Sequence, residues 1–341
     1  MFVRVSGAKF TEVINNIVVT SKETVHFYMK DGWLYIQGHS VIIYDVRVPV
    51  LEVEQDKIEF NCSAVVNKEI RLLNPQLDVV LRVVGEVLSI EQDIFSYTAE
   101  QSYEGIVDTH AFEQIFDTKY SSTLLRACVY SCRALDGVAR SLGVTYSTVN
   151  IKEGYAYLTY SNTALILPLD LPDGSLSNET LKKISAFTDK VTNCVCSCVD
   201  GIIYFKISEN EVVSTNIGLV DDKTVEDLRN MVNGVKDVTH INISKYVGNI
   251  QLITNIYPRS LLNLTVTENG LRFFMDNINS KLVFGDGGRE LCGCKISTPQ
   301  LSAIQKVYND DNDVVVRKGE NKLCLCQKNS RRTLIVAGLV Y

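Results

Sequence analysis

Three stretches of the chain share one pattern of apolar and polar positions: TVHFYMKDGWLYIQ (24–37), VTYSTVNIKEGYAYLTY (144–160) and LLNLTVTENGLRFFM (261–275). Each is a β-rich run, a polar turn, a glycine and a second β-rich run. That is a hairpin signature, in which the glycine supplies the positive φ of a tight turn. A second set follows the same plan: LDVVLRVVGEVLSIEQ (77–92), NCVCSCVDGIIYFKI (193–207) and DVVVRKGENKLCLCQ (313–327). The turn glycines fall at 32, 85, 154, 201, 270 and 319, so the first series is spaced by 122 and 116 residues and the second by 116 and 118. Two interleaved series with one period of about 118 residues predict three domains, each made of two related halves. A unit this long exceeds a solenoid repeat and should hold its own core.

Before each hairpin lies a segment with helical apolar spacing: 8–22, 63–73, 121–134, 177–187, 242–253 and 298–308. Several open on Ser, Thr or Asn, as an N-cap should, and the last has proline early in the helix. Each half therefore reads strand–helix–strand–strand–strand, an α+β unit with one helix on one face of an antiparallel sheet. The expected domains are 1–106, 107–235 with a linker over 105–113, and 236–341. The opening MFVRVSGAKF reads as a strand entering a helix rather than a signal peptide, and the closing RRTLIVAGLVY as the last strand of the sixth unit.

The net charge of −6 excludes a molecule that is basic overall, yet the helices are biased. Lys9, Glu12 and Lys22 lie on the first; Lys68, Glu69 and Arg71 on the second; Arg126 and Arg133 on the third. Glu179, Lys182 and Lys183 follow on the fourth, then Lys245 and Lys306 on the last two. Every segment is net positive, +7 together, which leaves −13 for the rest of the chain. If the helices share a surface, it attracts phosphates without reading bases. No aromatic stacking pattern accompanies these cations, so duplex contact fits better than single-strand readout.

Ten cysteines raise the question of disulfides or zinc, but the chain has no C-x2-C knuckle. Cys194, Cys196 and Cys198, Cys292 and Cys294, and Cys324 and Cys326 alternate as strand neighbours do, and read as small apolar fillers of a reduced intracellular protein. The four histidines (His26, His39, His110, His240) share no motif. No run approaches the about 20 apolar residues of a membrane helix. Cys128 and Cys132 sit four apart on a helix with no histidine near in sequence. FGDGGRE (284–290) lacks the lysine of a phosphate loop, and the pairs Asp221–Asp222 and Asp310–Asp311 fall in polar connectors. The reading is therefore not an enzyme, with no metal and no cofactor.

The repeat order, the length and the passages LTVTENGLRF (264–273), GLVDDKTVEDLRNMV (218–232), FDTKYSSTLLRA (116–127) and TLIVAGLVY (333–341) resemble the bacterial DNA polymerase III β subunit, the three-domain sliding clamp. The somewhat short length suits a divergent or phage-encoded relative. The resemblance implies three similar domains assembled as a ring, with helices inside and antiparallel sheets outside. It implies a head-to-tail homodimer around double-stranded DNA, bound without sequence preference. Lys9, Lys68, Arg71, Arg126, Arg133, Lys182, Lys183, Lys245 and Lys306 would then face DNA.

It also implies a hydrophobic pocket between domains 2 and 3 that takes short peptides of DNA polymerase, the clamp loader and other replication, repair or transcription factors. Carried over by position, the pocket comprises Leu142, Ser161, Thr163, Leu165, Val225, Arg229, Met231, Ile335, Ala337, Gly338 and Leu339. Where the family usually has a charged turn, this chain has Asn162, Thr163 and Ala164, so its preferred peptide should differ. The implied location is cytoplasmic, in a bacterium or an infected host cell, with no membrane partner. The rival reading is a β-rich structural or partner-binding protein, a virion or regulatory component, that does not encircle DNA. Such a protein has no reason to make every helix net positive.

Overall fold

The computed structural model describes residues 2–17, 23–54, 60–102, 109–141, 148–160, 162–189, 191–277, 280–308, 313–320, 322–327 and 331–337. Its elements follow one another as six repeats. The first is β1 (Phe2–Val5), α1 (Gly7–Ile17), β2 (Glu23–Lys30), β3 (Trp33–His39) and β4 (Ile43–Val53). The second is β5 (Phe60–Val66), a 3-10 turn (Lys68–Leu72), β6 (Val79–Val84), β7 (Val87–Gln92) and β8 (Phe95–Ser102). After a 3-10 turn at Thr109–Phe112, the third is β9 (Thr118–Lys119), α2 (Ser122–Ser141), β10 (Thr148–Lys152), β11 (Tyr155–Tyr160) and β12 (Thr163–Pro168).

The fourth repeat is β13 (Gly174–Ser177), α3 (Asn178–Thr188), β14 (Val195–Val199), β15 (Ile202–Ser208) and β16 (Glu211–Asn216). A connecting helix, α4 (Asp222–Asn233), precedes the fifth: β17 (Lys236–Ile241), a 3-10 turn (Ile243–Tyr246) running into α5 (Val247–Ile256), β18 (Leu261–Thr267), β19 (Gly270–Asn277) and β20 (Ser280–Gly285). The sixth is β21 (Glu290–Ser297), α6 (Thr298–Tyr308), β22 (Val314–Gly319), β23 (Lys322–Gln327) and β24 (Arg332–Ala337). Among the described residues no helix is long and apolar enough to cross a membrane.

The repeats do not fold singly. The first strand of each joins the first hairpin strand of its neighbour: β1 with β6 and β5 with β2, β9 with β14 and β13 with β10, β17 with β22 and β21 with β18. All these pairings are antiparallel. The fourth strands make a further set of pairings, β4 with β16 and β12 with β24. By contacts the chain divides into two compact units, Met1–Lys119 with Ala186–Asn216, and Tyr120–Ser185 with Ile217–Tyr341. The first holds a twelve-stranded sheet that ends β4-β16-β15-β14-β9. The second holds an eight-stranded sheet, β13-β10-β11-β12-β24-β23-β22-β17, and a four-stranded one, β20-β19-β18-β21.

Two fourth strands lack such a partner among the described residues. β20 pairs only with β19, and β8 pairs with β7 along its length but with β5 at only Ser102 and Gln101.

Two sequence readings need correction. The helix expected over 63–73 is instead the end of β5 and a single 3-10 turn, because Ser63–Val66, which ends in two β-branched valines, is paired with β2. The glycines, too, serve different ends. Gly32, Gly85, Gly154 and Gly201 take positive φ in their turns. Asp31, Glu153 and Asp200 do the same just before three of them, which matches the right-handed twist of the flanking strands. Gly319 and Gly270 instead lie in strands, flanking turns closed by Gly319–Lys322 and Thr267–Gly270.

At Gly270 (φ +147) the reason is space. The Tyr246 hydroxyl, which accepts from Leu271 N at 2.9 Å and donates to the Asp286 carboxylate, stands 1.8 Å from where a Cβ would be. The glycine-rich stretch 285–288 is thus a structural loop held to β19. Gly270→Ala should destabilise the protein by about 2 kcal/mol or more through overpacking. Gly154→Ala, with nothing within 4 Å of its Cβ, should cost only the roughly 1 kcal/mol of its left-handed backbone. Urea denaturation of the two variants checks the order.

Candidate functional site

Strand alternation gives the eight-stranded sheet two unlike faces. Thr163 opposes Val336, Ala164 opposes Ile335, Leu165 opposes Leu334 and Ile166 opposes Thr333. Ala164, Ile166, Ile335, Tyr157, Val315, Cys324 and Cys326 form one buried cluster with Val225 and Leu228 of α4. Thr163, Leu165, Leu334 and Val336 belong to the other face and are completely buried. There Gln300 of α6, itself buried, donates to the Thr163 hydroxyl at 2.9 Å and accepts from Ser297 N at 2.8 Å. Tyr308 of α6 reaches the same strands: its hydroxyl donates to Leu325 O at 2.5 Å and accepts from Leu334 N at 3.0 Å. Helices α2 and α6 pack together, α2 also against β11 and β12 and α6 against β24.

Both alternate sets of the last strand meet the core. Leu334 and Val336 do so on the α6 side, and Ile335 does so under α4. This parity separates the expected pocket residues: Thr163 and Leu165 point away from Ile335, because neighbours along a strand alternate faces. Val225 and Ile335 are brought together, though buried. Met231 lies on the exposed side of α4, and Ala337 is placed only as the last residue of β24. Leu142, Ser161, Gly338 and Leu339 lie outside the described residues.

α4 begins at Asp222, in what the sequence reading took as a polar connector. It is a capped helix: Asp221 accepts from Thr224 N at 3.1 Å and from its hydroxyl at 2.6 Å, which holds the Asp221 carboxyl below its usual range. Val225 and Leu228 anchor it, each burial worth roughly 1.5–3 kcal/mol. Arg229, one turn on, lies over the Tyr157 ring at 5.4 Å, donates from Nε to the Tyr157 hydroxyl at 2.8 Å and pairs with Glu153 at 3.0 Å. Beside it opens a cavity of about 540 Å³ whose walls include Tyr155, Ile166 and Thr333, with Arg317 and Arg331 at its rim. Of the expected pocket residues that are described, Arg229 alone lines this cavity. The others were missed, although Tyr155 and Tyr157, two apart on one strand, are a signal for a shared aromatic face.

The nine cations expected to face DNA differ in exposure. Lys9, Lys68, Arg71, Arg126, Arg133, Lys245 and Lys306 are exposed, while Lys182 and Lys183 are half-buried. Lys182 pairs with Asp136 at 3.4 Å. On α2, Arg126, Tyr130 and Arg133 form an exposed stripe at helical spacing. The bias of α1 needs correction: its span holds Lys9 and Glu12, paired at 3.3 Å and net neutral, and Lys22 lies outside the described residues. The other five helical segments before hairpins remain net positive, whereas α4 is net negative.

The thiols behave as fillers with one exception: Cys198 is exposed, and the other nine are buried. Cys128 is held well above the usual thiol range by a hydrogen bond to Cys132 and by burial, the reverse of an activated nucleophile. His26 and His39, unrelated in sequence, meet at 4.9 Å, and burial and then the charge of His39 lower the His26 pKa.

No protein-family model matches the chain, and no curated protein matches it in sequence. Solved structures do match in fold. The pol III beta of Caulobacter crescentus superposes with a TM-score of 0.73 at 10% identity, over 99% of this chain and 100% of that one. The DNA polymerase sliding clamp of Bacillus subtilis gives 0.70 at 13% identity over 99% of both chains. The Helicobacter pylori beta clamp bound to a DNA ligase peptide gives 0.67 at 12% identity, over 99% of this chain and 100% of that one. The chain therefore has the fold of the bacterial β sliding clamps from end to end, at an identity where only the fold is shared.

Gln300 is the residue that ties α6 to β12. Gln300→Ala leaves the Thr163 hydroxyl and Ser297 N without these buried partners, and should cost about 1–3 kcal/mol, read as a lower urea midpoint with the slope unchanged.

Proposed function

We propose that this chain is a DNA sliding clamp, a processivity factor that encircles duplex DNA as a head-to-tail ring of two copies and tethers replication enzymes to it. The observation that carries the reading is the pair of unmatched fourth strands in a chain with the clamp fold throughout. β4–β16 and β12–β24 are two examples of one type of junction. β8 and β20 are the strands that would make a third, between one copy and the next.

The exposed apolar side chains agree with this. Leu72 stands 74% exposed on the 3-10 turn of the second repeat, and Ile256 of α5 55% exposed in the fifth. Across the β12–β24 junction the corresponding helices, α2 and α6, pack on one another. A partner copy supplies the missing strand and the missing helix contact together, and a heterologous contact of this type closes into a ring.

DNA would be held by charge on the helices: Arg126 and Arg133 on α2, Lys306 on α6, Lys182 and Lys183 on α3, Lys245 before α5, Lys68 and Arg71, and Lys9. These contacts are few and exposed, so each is weak and screened by salt. Encirclement removes the need for them to be strong. Polymerase, clamp loader and other factors would dock by short peptides on the sheet face that carries α4 and Ile335. The Helicobacter pylori clamp with its ligase peptide supports that mode of binding. The domain limits 1–106, 107–235 and 236–341 agree with the exchange of first strands between neighbouring repeats.

Loaded on nicked circular DNA, the protein should be retained in gel filtration and lost when the circle is linearised. Equal retention on both forms sinks the reading. The double substitution Arg126→Glu and Arg133→Glu should reduce loading at about 0.1 M salt without changing the thermal midpoint. Unchanged loading means that this face of α2 does not meet DNA.

A further inference from the structure

The cavity beside α4 carries chemistry that tethering does not use. Three guanidinium groups reach it from three directions: Arg229 from α4, Arg317 from β22 and Arg331 from the turn before β24. Their settings differ. Arg229 is satisfied at all three nitrogens, by Tyr157 and by both oxygens of Glu153. Among the described residues, Arg317 donates from Nε, to Asp237 at 2.6 Å, and Arg331 from one amino group, to the Tyr155 hydroxyl at 3.4 Å. Amino groups of Arg317 and Arg331 thus remain for a ligand, in the fork geometry that suits a carboxylate. Arg331 is held on its turn at φ +54.

The balance of charge favours an anion. The counter-ions Glu153 and Asp237 are 62% and 66% exposed, whereas the Arg229 and Arg317 side chains are 35% exposed. The carboxylates are therefore the better screened partners, and exposed ion pairs of this type contribute little to stability. α4 ends beside the cavity, and its last carbonyls add a partial negative charge that one arginine offsets. The floor is apolar: Tyr155, Ile166 and Val232, with Thr333 between them. The volume, about 540 Å³, is that of a pocket for a few side chains rather than for an ion.

We propose that this cavity, on the same sheet face as Ile335 but toward the Thr333 end of β24, is a second docking site for a partner segment that sets carboxylates beside an apolar or aromatic anchor. The anchor enters over Tyr155 and Ile166, and the carboxylates take the open amino groups of Arg317 and Arg331. A peptide fits better than a compact anion because the apolar floor would otherwise stay wet.

The test uses the full-length protein and fluorescence anisotropy with two labelled pentapeptides, Asp-Glu-Leu-Phe-Asp and its amide isostere Asn-Gln-Leu-Phe-Asn. The acidic peptide should bind at least about tenfold more tightly, and about 0.5 M salt should erase the difference. Arg317→Gln with Arg331→Gln should remove the preference, whereas Lys223→Gln, which deletes a cation of α4 away from the cavity, should leave it intact. Should the double variant unfold, Arg331→Gln alone, on its exposed turn, should still reduce the preference at least about threefold, a change that only a direct contact would give. Equal binding of both peptides, an unaltered preference in the arginine variants, or equal loss in Lys223→Gln overturns the proposal. No DNA enters the assay, so its failure leaves the clamp reading untouched, and failure of DNA encirclement leaves this site untouched.

Discussion

Everything in this chain follows from one constraint: a β-strand edge displays N–H and C=O groups that need partners. Each repeat gives its first strand to the neighbouring repeat, so β1 completes the sheet of β6 while β5 completes that of β2. A single repeat is therefore left without an edge it needs, which explains why the pattern comes in pairs. The fourth strands extend the same logic outward, β4 to β16 and β12 to β24. β8 and β20 stand at the end of that series, and the function proposed above is in essence an answer to what covers them.

The second consequence is sidedness. With period-two alternation, the eight-stranded sheet buries Leu165, Leu334 and Val336 beneath one layer of helices and Ile335 beneath α4. Gln300 fixes α6 to the Thr163 side chain of that sheet and Tyr308 fixes it to the sheet backbone, through buried hydrogen bonds, so the cations of α2 and α6 are mounted on a rigid support. The opposite face carries a helix of the other charge sign and an arginine-rimmed cavity. On the proposed reading, weak phosphate contacts and peptide docking are separated by the thickness of one sheet, and neither has to compromise the other.

Much of this was legible in the sequence because it is periodic. Hairpins at 24–37 and 261–275 differ in almost every residue yet keep alternation and a turn, and such patterns survive divergence that leaves 10% identity. What the sequence hid was local. Ser63–Val66 has apolar spacing compatible with a helix, but its pairing with β2 decides for a strand. Gly270 resembles the turn glycines, and only the approach of Tyr246 from 24 residues earlier shows that it is there for space. Thr163 and Leu165 fall on the opposite face from Ile335, because one residue along a strand is enough to change faces. Arg317 and Arg331 meet Arg229 only because β22, β24 and α4 converge, and no spacing along the chain announces it.

The claim that a second copy covers β8 and β20 is tested most directly by the mass of the protein in solution. Sedimentation equilibrium at micromolar concentration should give a species of twice 38.1 kDa, with no tendency to larger assemblies, because a closed ring leaves no unmatched fourth strand. A stable 38.1 kDa monomer at that concentration, or an open-ended series of higher masses, would contradict it.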